Sequence, residues 1–521
     1  MKVLSYSEDI LAQELSNDST PVDVIQNKRQ YLYLKEYLGT QGLKIKTIVI
    51  EDKYISKDYL KDFAAYYATC FKDYKKYCKR IHFFTNTFSQ VDLEKFLLSD
   101  TKQAHEFWNN YAGFLVVKPI PVTVIGTTIF KNYPKGKTTG ERNFWGTRLY
   151  PIHLFGKELM IDSLAFQEQD TVLSACATTA IWSMLHKASE DYTIVLKTPG
   201  EITKDAGETV PNKGRLLPNK EGLEISQMCK AIENCGLEVE IRLPIKGSEK
   251  IDNQYLQKIL NAYSSIGTPI ILVVQVPSGF KDDKEPKNRL DNVRYGLHAV
   301  TVSGFKKKAL SNLNKDVKTS SVYKLIEKIY YHDDQWGPFA RAEFSGIFDL
   351  DTSWTKFHES GIKPPTYVES IIIPVFSKIR ISYDDIEPII RTIATIYATA
   401  FENILAPGFV WDLRVMYSED FKTEIKNSDL DNSLKISYLI KSYPKYIWVG
   451  TCYSKENRIS DYIFDATDIS NAMYGIDVII HYDEFKDYLL KFLKTNNTYK
   501  SIFKGLFKSD YYQFIIDKLK D

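Results

Sequence analysis

The chain lacks most of the features that announce a function at once. It has six cysteines in 521 residues, at positions 70, 78, 176, 229, 235 and 452, and none forms a Cys-x-x-Cys pair. Its eight histidines do not cluster with them. Structural zinc is therefore not expected, and neither is a disulfide framework in a chain of this length. No window approaches the ~18 uninterrupted apolar residues of a membrane-spanning helix. The opening MKVLSYSEDILAQEL reaches acidic residues by Glu8 and has no apolar core, so it does not read as a secretory signal. A cytoplasmic location is expected. Charge of one sign is also missing: 68 basic residues balance 66 acidic ones, for a net charge of +2. Nothing electrostatic points to a nucleic acid or an anionic membrane as partner. There is no internal repeat and no low-complexity tract.

What remains is an ordinary folded composition, 44% hydrophobic and 26% charged. Tyrosine and phenylalanine are abundant, at 35 and 28 residues, and lysine, isoleucine and asparagine run high. That reads as the imprint of an AT-rich, bacterial genome rather than as chemistry. Single cores stop growing near ~250–300 residues, so several domains are expected. The texture divides the chain at about 1–155, 156–360 and 361–521. In the first part Lys44 to Glu51 and Gly113 to Ile120 read as strands, and 57–80 as a helix with Leu60, Phe63, Ala64, Tyr67 and Phe71 on one face. In the last part a strand-like SIIIPVF is followed by a helix over 383–404. Both flanks look α/β and carry no chemical motif.

The middle part is different. Periodicity predicts a helix beginning near Cys176, a long polar loop over 198–221, and helices over 222–234 and 253–264. Strands follow at 269–276, 297–305 and 323–332, with a charged loop over 278–294. Long loops are enriched in binding segments, so both are candidates for substrate recognition.

A nucleophilic thiol needs a lowered pKa, a base in reach, and donors for the oxyanion it creates. In Gln167-Glu-Gln-Asp-Thr-Val-Leu-Ser-Ala-Cys176, Ser174 is a good N-cap, so Cys176 falls in the first turn of a helix, where the dipole favours a thiolate. Gln169 or Gln167 can supply an amide to the oxyanion beside the Cys176 backbone N–H. In Tyr295-Gly-Leu-His298-Ala-Val, His298 opens an apolar strand and is placed to face a cleft. In Tyr331-His-Asp333-Asp334-Gln-Trp336-Gly337, an aspartate ending the next strand can accept the other imidazole N–H, with Trp336 keeping water off that bond. Asp334 is preferred from its register with Trp-Gly, and Asp333 stands beside it. The other five cysteines read as buried filler. His332 is a weaker alternative base, and His186 lies too far along the Cys176 helix to reach the thiol.

The order Gln…Cys–helix…His-Ala-Val…Asp-x-Trp-Gly resembles papain-like cysteine peptidases, above all the bacterial branch with bacteriocin-leader (double-glycine) peptidase domains. The segment Gly-Leu-Glu-Ile-Ser-Gln-Met at 222–228 looks like the Gly-Leu-x-x-x-x-Leu of that branch. Two departures stand out: Ala177 occupies a position that is usually glycine, and neither glutamine has the usual spacing of about six before the cysteine. The resemblance covers about 190 residues. It implies an α+β catalytic domain, a helical half with the nucleophile helix joined to an antiparallel-sheet half, flanked by two α/β domains. It also implies a Cys176–His298–Asp triad hydrolysing peptide bonds of an intracellular protein or peptide through a thioester, with no metal or cofactor. A regulatory protein partner would engage the flanks. The alternatives are a transglutaminase or acyltransferase using the same triad, and a binding module that has lost activity.

Overall fold

A computed structural model describes residues 1–133, 140–170, 175–191, 193–207, 222–282, 289–313, 319–356, 362–402, 408–469 and 475–506. It is a mixed α/β molecule with several antiparallel sheets, in keeping with the α+β class. Among the described residues no helix is long and apolar enough to cross a membrane.

The N-terminal sheet has five antiparallel strands in sequence order: Lys2–Ser5, Thr47–Tyr54, Cys78–Phe84, Tyr111–Val117 and Ile125–Phe130. Every residue of Tyr111–Val117 is buried, so both faces of that strand are covered. The helix expected over 57–80 is shorter, Lys57–Ala65, followed by a 3-10 turn at Tyr67–Thr69 and a strand from Cys78. Leu60 and Phe71, two residues of the expected face, are exposed. Their periodicity is not used for packing.

The central sheet runs Leu350–Asp351, Gly337–Phe344, Ile326–Asp333, Val293–Lys307, Ile270–Phe280, Tyr367–Phe376 and Leu237–Arg242, with Glu141–Asn143 paired to the far end of Val293–Lys307. All its pairings are antiparallel. This sheet draws strands from both sides of the 156–360 span, including the apolar Tyr367–Phe376. Conversely, Thr319–Ser321 leaves it to pair in parallel with Phe409–Tyr417, the first strand of the C-terminal sheet. That sheet continues through Tyr446–Ser454, Asn457–Asp465 and Gly475–Ile480.

The longer helices of the central part, among the described residues, are Cys176–Ala188, Pro199–Ala206, Ile225–Glu233 and Asn253–Tyr263, with a short one at Ser353–Lys356. The first, second and third pack on one another, and the first also lies against the strands. The second falls inside the expected polar loop 198–221. Thr198 and Glu201 form a capping box with Pro199 at the first helical position, a start signal that the polarity of the segment obscured. The rest of that loop, 208–221, lies outside the described residues, as does 283–288 of the loop expected over 278–294. The strands bordering the latter are longer than expected, ending at Phe280 and beginning again at Val293. His298 consequently sits well inside a strand rather than at its mouth.

Candidate active site

The Cys176 helix begins at Cys176 itself, with Ala175 as its N-cap. Ser174, expected as the cap, lies outside the described residues. Ala175 has no capping side chain, and the positive end of the helix dipole lies at Cys176. Ile181, Trp182, Met184 and Leu185 are fully buried and anchor the helix in the core. Thr301, on the His298 strand, donates its hydroxyl to the Ala180 carbonyl at 2.8 Å. This bond fixes the helix against the strand that carries the histidine.

His298 and Asp333 stand on adjacent strands. His298 Nε2 lies 2.9 Å from Asp333 Oδ1, both residues being buried. Asp333 is over-determined as an acceptor. Its Oδ1 also takes the Gln335 backbone N–H at 3.0 Å, and its Oδ2 takes the indole N–H of Trp354 at 2.9 Å. Three N–H groups thus converge on this one carboxylate and fix its orientation. Behind it lies a cavity of only about 10 Å³, walled largely by apolar side chains, among them Val274, Val300, Tyr331 and Trp354. With Nε2 committed to Asp333, Nδ1 is the nitrogen left for the Cys176 thiol, which is near enough to His298 to help raise the imidazole. Burial by itself pulls the imidazole down, but the carboxylates of Asp333 and Asp334 and the hydrogen bonds to Asp333 and Cys176 outweigh it. The imidazole is held well above the usual histidine range. The arrangement is built to carry an imidazolium.

The preference for Asp334 over Asp333 is reversed by this geometry. Asp333 ends the strand Ile326–Asp333 facing the histidine, whereas Asp334 begins the turn. Asp334 Oδ1 comes within 3.3 Å of Nε2, yet neither of its oxygens accepts a hydrogen bond. Burial pushes its carboxyl up to about 7, against the pull of the His298 charge. Trp336 is buried, and Trp354 joins it at the His298–Asp333 bond, with its ring 5.6 Å from the imidazole and edge-on to Trp336 at 5.8 Å. Sequence reasoning passed over Trp354. Its only local signal is a tryptophan in the short Ser353–Lys356 helix, following a two-residue strand.

Of the two glutamines, Gln167 is buried with its amide nitrogen lacking a partner, while Gln169 is half-buried. Between them Glu168 is clamped by Lys28 at 2.5 Å and by the Ile125 N–H at 3.1 Å. An unsatisfied buried amide donor is costly to keep, so Gln167 is the better-motivated oxyanion donor.

The remaining candidates separate cleanly. His332 and His186 are buried among aromatic rings, Phe339 and Phe166 around the first, Trp182 and Tyr150 around the second. Burial drags both down to about 3, so both are neutral. Burial pushes the Cys78 thiol up to about 12 and those of Cys229 and Cys235 up to about 11, and it holds Cys452 well above the usual thiol range. Cys176 and Cys70 are partly exposed, and of these only Cys176 has a histidine.

Among the described residues, His298, Asp333 and Asp334 also meet the geometry of a metal cluster, with one potential ligand atom from each within 4.8 Å of the others. The donor set argues for a proton instead. Both oxygens of Asp333 already accept N–H bonds, and a cation would have to displace the proton between Nε2 and Oδ1. Comparison of the chain with protein-family models and with curated protein sequences gives no match in either case.

Proposed function

We propose that the chain is a cysteine peptidase of papain-like type, acting on a protein or peptide substrate. The observation that carries this reading is the relay from Cys176, at a helix start, to His298 and on to Asp333. In the proposed reaction the Cys176 thiolate attacks the scissile carbonyl carbon, and the electron pair moves to the carbonyl oxygen. The Cys176 N–H and the Gln167 or Gln169 amide hold that oxyanion. As the tetrahedral species collapses, the C–N bond breaks and the His298 imidazolium gives its proton to the leaving amine. The neutral imidazole then takes a proton from water, which attacks the thioester and frees the acid and the thiol. Asp333 keeps the ring oriented and its charge balanced throughout.

The test is iodoacetamide labelling of the native protein from pH 5 to 9, with the modified cysteine located by peptide mass spectrometry. Fast labelling confined to Cys176 and lost in His298→Ala is the expected outcome. A Cys176 that labels no faster than an ordinary surface thiol would sink the reading. Mass analysis of products from a peptide library then separates cleavage from amine incorporation.

A further inference from the structure

The N-terminal helix Arg29–Leu38 starts against local preference. Its N-cap is Lys28, which makes no side-chain cap, and its first turn holds no acid and opens on Arg29. Two cations at the positive end of a helix dipole are unfavourable there. A local rule broken without local benefit points to a tertiary role, and three consecutive side chains supply one. Lys28 clamps Glu168, between the two candidate oxyanion glutamines. Gln30 donates to the Asp334 carbonyl at 3.1 Å. Arg29 lies over the faces of two buried indoles, 4.5 Å from the centre of Trp354 and 5.7 Å from that of Trp336. One turn on, Tyr33 donates its hydroxyl to the Pro338 carbonyl at 2.7 Å.

We propose that Arg29 is a positioning residue of the Cys176–His298–Asp333 centre, acting on Asp333 through Trp354. Two routes run from the guanidinium to that carboxylate. In the first, the cation stacks on Trp354, whose indole N–H is bound to Asp333 Oδ2. A positive charge over the ring draws electron density from it and strengthens the N–H as a donor. In the second, Arg29 reaches the Gln335 side-chain oxygen at 3.4 Å, and the backbone N–H of Gln335 is bound to Asp333 Oδ1. Arg29 itself is exposed. Its contribution to folding is therefore small, that of an exposed cation–π contact, while its effect on Asp333 runs through the two groups that hold that carboxylate, the Trp354 indole and the Gln335 N–H. On this proposal the catalytic centre is completed by the N-terminal part of the chain, not held wholly within the span 156–360.

The inference rests on the peptidase reading, and the experiment keeps the two apart. Full-length wild type, Arg29→Gln and Arg29→Lys are compared for the rate of Cys176 alkylation by iodoacetamide at pH 7. They are also compared for the position of the Trp354 indole N–H resonance, assigned with Trp354→Phe. The expected result is an upfield shift of that resonance in Arg29→Gln and a fall in alkylation of about tenfold, the scale seen when a supporting hydrogen-bond partner is lost. The thermal midpoint should stay within a few degrees of wild type, and Arg29→Lys should fall between. Alkylation at the wild-type rate with an unmoved indole resonance overturns the positioning role. A shifted resonance in a protein whose wild-type Cys176 is already unreactive overturns the peptidase reading and the catalytic part of this inference with it, leaving the contact alone.

Discussion

At the residue scale, the two adjacent aspartates differ because a strand end is where the chain changes direction. Asp333 keeps the strand's orientation and hydrogen-bonds the imidazole; Asp334, at the start of the turn, is buried close to the same ring without accepting a hydrogen bond. Their replacements should diverge. Asp333→Asn removes the opposite charge that holds His298 high, so the alkaline limb of the Cys176 alkylation profile should move down towards the ordinary histidine range. The maximal rate should drop roughly tenfold or more, since the imidazolium that holds the thiolate loses its opposite charge. Asp334→Asn should move the same limb in the same direction by less, and leave the maximal rate within about fivefold, because no hydrogen bond is lost. Alkylation rates across pH 5 to 10 for both variants would check this, and equal losses would mean that the two carboxylates share the role.

At the scale of elements, catalytic geometry depends on how two surfaces meet. Gly337 opens the strand that follows the Asp-Asp-Gln-Trp turn, and a Cβ there would sit 2.2 Å from the Tyr33 ring. That ring is itself buried and stacked on Tyr37 at 5.8 Å, so it has little room to yield. Gly337→Ala should push the Arg29–Leu38 helix off the turn and destabilise the fold by roughly 1–3 kcal/mol. Urea unfolding would measure this. Because that helix also holds Gln30 and Arg29 in place, Cys176 labelling should slow in the same variant even at temperatures where it stays folded. Helices and strands were largely legible beforehand: the Cys176 helix, the helix Asn253–Tyr263 and the strand Ile326–Asp333 lie within a few residues of where periodicity put them. The misses have two causes. Pro199–Ala206 was hidden by its polar loop-like composition, and the extension of Val293–Lys307 upstream of His298 depends on pairing with Ile270–Phe280, which no local pattern reveals.

At the scale of the whole molecule, three histidines are buried in a neutral state: His82 at about 4, His186 at about 3 and His332 at about 3, each lowered chiefly by burial. A depressed folded value means that the unfolded chain binds more protons below about 6.5. Their contribution to stability is thus present above that pH and is lost as pH falls towards about 3 to 4. Each adds a slope of up to about 1.4 kcal/mol per pH unit in that window. The protein should therefore lose stability steeply between pH 6 and 4, and His332→Phe should flatten that loss. Chemical denaturation at pH 7, 5.5 and 4.5 would show it, and parallel curves for wild type and variant would refute it.

The sequence by itself determined the order of the chemical residues, the helix that presents Cys176, and the strand that ends in an aspartate. These follow from short-range physics: periodicity, helix-end dipoles and turn residues acting over a few positions. Only the tertiary structure decided which aspartate hydrogen-bonds His298, that the Trp354 indole is bound to the same carboxylate, and that Lys28, Arg29, Gln30 and Tyr33 reach these segments from the far N-terminal part of the chain. It also decided that His186 and His332 are neutral packing groups. Those outcomes turn on hydrogen-bond direction, desolvation and contacts between residues more than a hundred positions apart, which exist only once the strands have paired.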